Sequence, residues 1–191
     1  RGMGELRLGQ ALWGSYLRGM HAIHEQERIA SEARTLDAAL TAQLKARKDD
    51  LQALKTRGEK TLTDGVARME KGGAIDTTFA SATLSLAQIY VDTERADKAI
   101  ELLEKAQVGP LTIVTAKHEA ASKEGYSEEV YKTALRAYIS ALAGSKSPDE
   151  LIKKAEGVMD GLKSTVAGAE NGSKRLFGIY FSLARELETQ M

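Results

Sequence analysis

Apolar residues recur at intervals of three, four and seven through the first 70 positions of the chain. This spacing places apolar side chains along one side of an α-helix. No proline interrupts the pattern before Lys71-Gly72-Gly73, which ends it. The sequence therefore predicts that residues 1–73 form either one long helix or a pair of long helices, a hairpin with its turn near Ser31 to Thr35. The apolar positions are Leu12, Tyr16, Met20, Ile23, Leu36, Leu40, Leu44, Leu51, Leu54, Leu62, Val66 and Met69.

Shorter helices are predicted in the remainder, residues 74–191. Asp76 is placed to cap the first of them, because its side chain can accept a hydrogen bond from the opening turn. A polar turn, Asp92 to Arg95, leads to a second helix that Gly109-Pro110 ends. The first helix carries Phe79, Leu86, Ala87 and Tyr90, and the second carries Ala99, Leu103 and Ala106.

Three further helices follow in the pattern. We expect Ser127 to cap the next one, which ends at Gly144. Ser147-Pro148-Asp149-Glu150 combines a capping serine, a proline at the first helical position and a glutamate three residues after the cap. Ser173 starts the last helix, which contains Phe177 and Phe181.

The connection from Leu111 to Gly125 is long and includes a short β-branched run. We expect Leu111, Ile113 and Val114 to close the gap between neighbouring helix pairs, because the alternative leaves three apolar side chains in water. That alternative is a functional loop in which Lys117 and His118 face a partner.

Composition agrees with a helical fold. Proline occurs twice and strand signals are nearly absent, so the predicted fold class is all-α. The 27 basic and 27 acidic side chains cancel, which gives no support for nucleic acid as a partner. The absence of cysteine excludes disulfides and thiol chemistry. The longest apolar cluster, Leu176 to Ala184, is too short for a membrane span.

Small residues at Ala87, Ala99 and Ala106 predict two antiparallel helices in close contact, with Tyr90 and Leu103 filling the space beside them. The spacing Ala87-x2-Tyr90-x8-Ala99-x3-Leu103-x2-Ala106 resembles a tetratricopeptide repeat of the bacterial type. Two departures are Thr83, where the repeat often has Trp, and Pro110, which comes one residue early. Further positions that resemble the repeat are Tyr131, Ala134, Leu135, Tyr138, Leu151, Ile152, Ala155, Phe177, Gly178 and Phe181.

The resemblance covers about residues 76–187 and implies helical hairpins stacked as a right-handed α-solenoid, with repeats at about 76–110, 127–166 and 173–190. It also implies that the first helix of each pair lines a concave groove that binds a protein or peptide, without catalysis or a cofactor. The groove candidates are Gln88, Asp92, Glu129, Lys132, Arg136 and Arg175.

Lys132 and Arg136 lie one helical turn apart and, with Arg175, can form a basic stripe that receives a carboxylate or an acidic segment. The alternative is a solvated helix face. The family's carboxylate clamp uses Lys, Arg and Asn side chains, and its asparagines have no counterpart here.

A structural role is the second functional hypothesis. It would use the long N-terminal helices and the apolar C-terminal helix. A terminal repeat with an apolar outer side predicts either a homo-oligomer or a contact with a neighbouring domain through that helix.

A metal-dependent enzyme is the third hypothesis, and it depends on His21, His24 and Glu25. These residues share one side of a helix, but they are too few for the usual metal site and lack the zinc-protease order. No nucleophile elbow or thiol accompanies them, so we expect the protein not to be an enzyme.

The chain opens RGMGELRLG rather than with Met, and we expect it to be part of a longer or processed protein. An upstream signal peptide would place it in an extracytoplasmic or periplasmic compartment. The sequence itself leaves the compartment open.

Overall fold

The computed structural model describes residues 2–73, 75–142, 144–168 and 171–190, without the side chains at 186, 187, 189 and 190. Every regular element in these ranges is helical and none is a strand, which confirms the all-α prediction. The chain divides into two compact units, Arg1–Gly72 and Gly73–Met191. The α-helices are α1 Gly2–Glu32, α2 Ala38–Gly72, α3 Thr77–Asp92, α4 Ala96–Leu103, α5 Pro110–Thr115, α6 Tyr126–Leu142, α7 Pro148–Ala167 and α8 Gly172–Gln190.

The first unit is a hairpin, so the structure selects the second of the two arrangements that the sequence left open. α1 and α2 pack against each other along their length. The chain reverses between them at residues 33–37, where Arg34 has a positive φ of 56°. Asp37 then accepts a hydrogen bond from the Leu40 backbone N–H at 2.8 Å and caps α2.

Glycines let the two helices of the hairpin approach closely. A Cβ atom on Gly9 would lie 2.9 Å from the backbone nitrogen of Leu62, and one on Gly58 would lie 3.1 Å from that of Trp13. The backbones therefore touch where most helix pairs place side chains. The buried apolar residues of the hairpin are Leu6, Trp13, Ile23, Ala30, Leu44, Leu62 and Val66.

The second unit begins with the predicted cap. The Asp76 side chain accepts a hydrogen bond from the Phe79 backbone N–H at 2.8 Å. Pro148 stands at the start of α7, also as predicted, but the Ser147 side chain makes no capping hydrogen bond. Ser127 was expected to cap α6 and instead lies inside it, since α6 begins at Tyr126.

Helices of the second unit pack with several others and not only with their chain neighbours. α3 packs with α4, both pack with α6, and α8 packs with α6 and α7. Ala87, Ala99 and Leu103 lie fully buried in one cluster, which also holds Ala134, Tyr138 and Leu162. Ala87 and Ala99, which were predicted to lie at the contact of two helices, are thus buried in the same cluster, and α3 packs with α4.

The placement of Ala106 on the second helix is wrong. α4 ends at Leu103 and Ala106 is exposed beyond it. The chain turns back there instead, and Gly109 lies so close to the end of α4 that a Cβ atom on it would lie 2.4 Å from the Leu103 carbonyl oxygen. Pro110 was predicted to mark the end of the second helix. It is instead the first residue of α5.

The long connection packs as expected. Ile113 and Val114 of α5 are buried in a cluster with Ala80, Leu84 and Val130, and Leu111 is partly buried against it. A short 3-10 turn, Glu119–Ala121, follows α5, and His118 caps it by accepting a hydrogen bond from the Ala120 backbone N–H at 3.1 Å.

Candidate functional site

Two adjoining clefts lie on the surface that α3, α6 and α8 share. The α3–α6 cleft has a volume of about 280 Å³, and the α6–α8 cleft has one of about 360 Å³. Both are lined by Glu128 of α6 and Arg175 of α8. We call the surface that contains both clefts the groove.

Apolar and polar side chains alternate along the groove. Leu84 of α3 and Ile179 and Leu183 of α8 contribute apolar surface. Ser81, Ser85 and Ser182 contribute hydroxyl groups. No histidine is among the described residues that line either cleft, so no imidazole base stands beside these hydroxyls. Such a surface offers apolar contact and hydrogen bonds to a bound chain.

Glu128 holds the floor of the groove together. Its side chain is 11% exposed, it accepts a hydrogen bond from the Arg175 guanidinium, and it lies 3.2 Å from Lys132 Nζ. A buried carboxylate is costly unless it is paired, and two cations compensate this one. The contact with Arg175 also ties α8 to α6.

Two more ion pairs line the outer part of the groove. Lys132 Nζ lies 2.6 Å from Glu129 Oε1, and Arg136 lies 3.0 Å from Asp92 Oδ1, which links α6 to α3. Burial alone would lower the pKa of Lys132, but its hydrogen bonds and charge interactions with Glu129 and Glu128 raise it. Lys132 therefore stays positively charged, and carboxylates of its own helix already compensate this charge.

The predicted basic stripe is brought together, but it is not an open cationic surface. Lys132, Arg136 and Arg175 each pair with a carboxylate of this chain. A carboxylate from a partner would first have to displace Glu129 or Asp92. The sequence analysis did not anticipate these pairings.

The structure places all six groove candidates on or beside the groove. Gln88 and Glu129 line the α3–α6 cleft, and Lys132 and Arg136 line the α6–α8 cleft. Arg175 lines both clefts, while Asp92 lies beside them through its bond to Arg136.

Glu128 and Ser182 were missed by the sequence analysis. Glu128 stands four residues before Lys132, so an i to i+4 ion pair was the available signal for it. Ser182 had no such signal.

The candidate metal ligands His21, His24 and Glu25 all lie on the exposed side of α1. No group of three potential ligands that could hold a metal occurs among the described residues. The Glu25 carboxylate is already engaged by Arg28, with Oε1 2.6 Å from one guanidinium nitrogen and Oε2 3.0 Å from Nε. This hydrogen bonding lowers the pKa of Glu25.

Comparison of the chain with family models, curated proteins and solved structures found no match. The evidence for the candidate functional site therefore comes from the geometry of its own residues. Within the described ranges, none of the helices combines the length and apolarity that a membrane span requires.

Proposed function

We propose that the protein is a non-enzymatic interaction module that holds a protein or peptide partner in the groove. In this proposal α3 with α4 and α6 with α7 are hairpins of a right-handed tetratricopeptide-like superhelix, and α8 is the first helix of a third pair. The contacts of α3 with α4, of α4 with α6, of α3 with α6 and of α6 with α8 agree with that arrangement. The buried trio Ala87, Ala99 and Leu103 agrees with it as well.

One observation carries the proposal. The two clefts share Glu128 and Arg175 in their linings, so they lie side by side on α3, α6 and α8. An extended or helical partner segment can therefore contact three helices at once. Because ion pairs already fix the helices to each other, little binding energy is lost to ordering the receptor.

The test begins with a displayed library of random peptides selected against the full chain. Peptides that enrich are then measured for affinity by calorimetry. Ser182→Trp fills the α6–α8 cleft from an exposed position, and we expect it to weaken binding about tenfold or more. Charge reversal of Lys132 and Arg136 is a poorer test, since it would set new carboxylates beside Glu129 and Asp92.

Ser164→Trp is the matched control, because Ser164 is an exposed serine of α7 outside both clefts. Binding to this variant should equal that of the unchanged chain. The proposal is contradicted when no peptide enriches, or when both tryptophan variants bind the selected peptides equally well.

An assembly role is the second candidate function. The observation that favours it lies on α8, where Phe177 is 72% exposed and Phe181 is 58% exposed. Apolar area of this kind on a helix usually meets another surface.

A further inference from the structure

Helix α8 has two apolar sides, and one of them is uncovered. Leu176, Ile179 and Leu183 pack against the core of the second unit. Phe177 and Phe181 lie one turn apart on another side, with their ring centroids 6.3 Å apart and stacked. Solvent therefore reaches an aromatic pair that the core does not use.

The positions of α6 that correspond to Phe177 and Phe181 of α8 are buried. The repeat resemblance aligns Tyr138 with Phe181, and thus Ala134 with Phe177. Ala134 is 0% exposed and Tyr138 is 2% exposed, because α6 has α4 on one side and α7 on another. By analogy, the aromatic side of α8 fits a further helix.

We propose that this helix is α8 of a second copy of the chain, packed antiparallel with Phe181 near the two-fold axis. Residues equally distant from Phe181 in opposite directions then face each other across the interface. Lys174, seven residues before Phe181, faces Glu188, seven residues after it, on the other copy. The axis repeats this contact, so two ion pairs flank the aromatic centre.

Charge selects this orientation. A parallel pairing would set Lys174 beside Lys174 and Glu188 beside Glu188, which repel each other. Both residues are exposed, and neither makes an ion pair with another described residue, so both are open to the second copy.

The sizes of the facing side chains support the antiparallel register with Phe181 near the two-fold axis. Gly178 faces Ala184 of the other copy, which lets the two helices approach closely between the phenylalanines. Phe177 faces Arg185 of the other copy, a pairing that allows a cation–π contact. All four residues are exposed in the single chain.

The first test is sedimentation of the full chain over a wide range of concentration. We expect a monomer–dimer equilibrium, and we expect Phe177→Ser with Phe181→Ser to weaken it about a hundredfold or more. Ile152→Ser is the matched control, because Ile152 is 46% exposed on α7. It should leave the dimer constant unchanged.

Charge swaps test the register. Lys174→Glu alone or Glu188→Lys alone should weaken the dimer about tenfold, and the two together in one chain should restore it. These positions are on the surface, so folding is preserved. Failure of the double variant to recover would contradict the pairing.

Cysteine cross-linking gives the orientation directly, since the chain has no cysteine of its own. Chains carrying Lys174→Cys are mixed with mass-tagged chains carrying Glu188→Cys and oxidised. Antiparallel pairing predicts a disulfide between the two kinds of chain, with the remaining Lys174 and Glu188 still paired. Parallel pairing predicts disulfides between like chains.

The proposal is overturned by a monomer at all concentrations, by a dimer that the phenylalanine variants leave intact, or by cross-links between like chains. Gly178 of this interface also lines the α6–α8 cleft. The variants chosen lie outside the residues that line either cleft, so their effects are separate from those of the groove variants.

Discussion

The α1–α2 hairpin and the second unit bring helices together in different ways. In the hairpin, glycines face the backbone of the opposite helix, as Gly9 faces the backbone nitrogen of Leu62. In the second unit, Ala87 and Ala99 are buried in a cluster of side chains that includes Leu103 and Tyr138. A glycine at a helix contact therefore indicates that the opposite backbone lies very close. An alanine indicates that side chains surround the contact.

The two regions also differ in the number of neighbours that each helix has. Within the hairpin α1 packs with α2, whereas within the second unit α6 packs with α3, α4, α5, α7 and α8. A side chain in α6 is thus held from several directions, while the hairpin depends on a single seam. We expect truncation to be most damaging in the second unit and overpacking to be most damaging in the hairpin.

The single tryptophan allows the stability of the hairpin to be measured separately from that of the second unit. Trp13 lies in the hairpin and is 6% exposed, so its fluorescence reports the hairpin. Circular dichroism reports the helices of both units. Urea unfolding followed by the two signals can separate their stabilities.

The largest effect is expected from Leu103→Ala. Leu103 is fully buried between α4 and its neighbours, and its truncation should lower the free energy of unfolding by about 2–5 kcal/mol. The circular dichroism transition should move to lower urea while the Trp13 transition stays. Equal movement of both signals would show that the units unfold together.

Overpacking the hairpin comes next. Gly9→Ala places a Cβ atom 2.9 Å from the Leu62 backbone nitrogen, and backbone cannot move as a side-chain end can. Relative to Gly4→Ala in the same helix, we expect a loss of about 1–3 kcal/mol in the Trp13 transition.

Gly4→Ala is the control because no atom lies within 4 Å of a Cβ at Gly4. That variant should gain about 0.5–1 kcal/mol from helix propensity alone. A gain at both positions would mean that the backbones of α1 and α2 are further apart than described.

Alkaline pH should distinguish the two regions through buried tyrosines. Burial raises the pKa of Tyr126 and Tyr138, and the hydrogen bond from Tyr138 to Glu104, 2.7 Å long, raises the pKa of Tyr138 further. A tyrosine whose pKa is higher in the folded state than in the unfolded state stabilises the fold at pH values below the unfolded-state pKa of about 10. This stabilisation is lost as the pH rises through the folded-state pKa. The second unit should therefore weaken above about pH 10.

Tyr138→Phe tests that pH dependence. It should cost about 1–2 kcal/mol near neutral pH, through the lost hydrogen bond to a carboxylate, and should flatten the alkaline decline. Urea midpoints at several pH values, followed by circular dichroism, measure both quantities. An equally steep decline without the phenol would assign it to other groups.

The smallest effect is expected at the surface of the hairpin. Lys48 Nζ lies 2.7 Å from Glu27 Oε1 and joins α1 to α2, but both side chains are about a third exposed. Lys48→Ala should therefore change the Trp13 transition by only about 0.2–1 kcal/mol, and less at high salt. A larger loss would show that the seam depends on charge as well as on glycine.

Local features of the fold were predictable from the sequence. Asp76 caps α3 through a contact three residues away, and Pro148 opens α7 through its own ring. The burial of Ala87 and Ala99 in one cluster followed from spacing. Each of these depends on neighbours in the chain, which a sequence displays directly.

Features that depend on distant residues were not predictable. α4 ends at Leu103, where Gly109 lies close to its last residues, and Ala106 was therefore placed wrongly. Arg136 meets Asp92 across α3 and α6, and Arg175 meets Glu128 across α8 and α6. The residues of the stripe were found by helical spacing, but their neutralisation needed the tertiary structure.

The tight turn before α5 has an evolutionary consequence. A Cβ atom at Gly109 would lie 2.4 Å from the Leu103 carbonyl oxygen and 2.6 Å from the Lys105 backbone nitrogen, so no other amino acid fits. Descendants of a common ancestor can exchange alanines and leucines in the core, but those that keep this turn must keep a glycine there. Position 109 is therefore one at which a residue with a Cβ atom should be selected against for as long as this turn is kept.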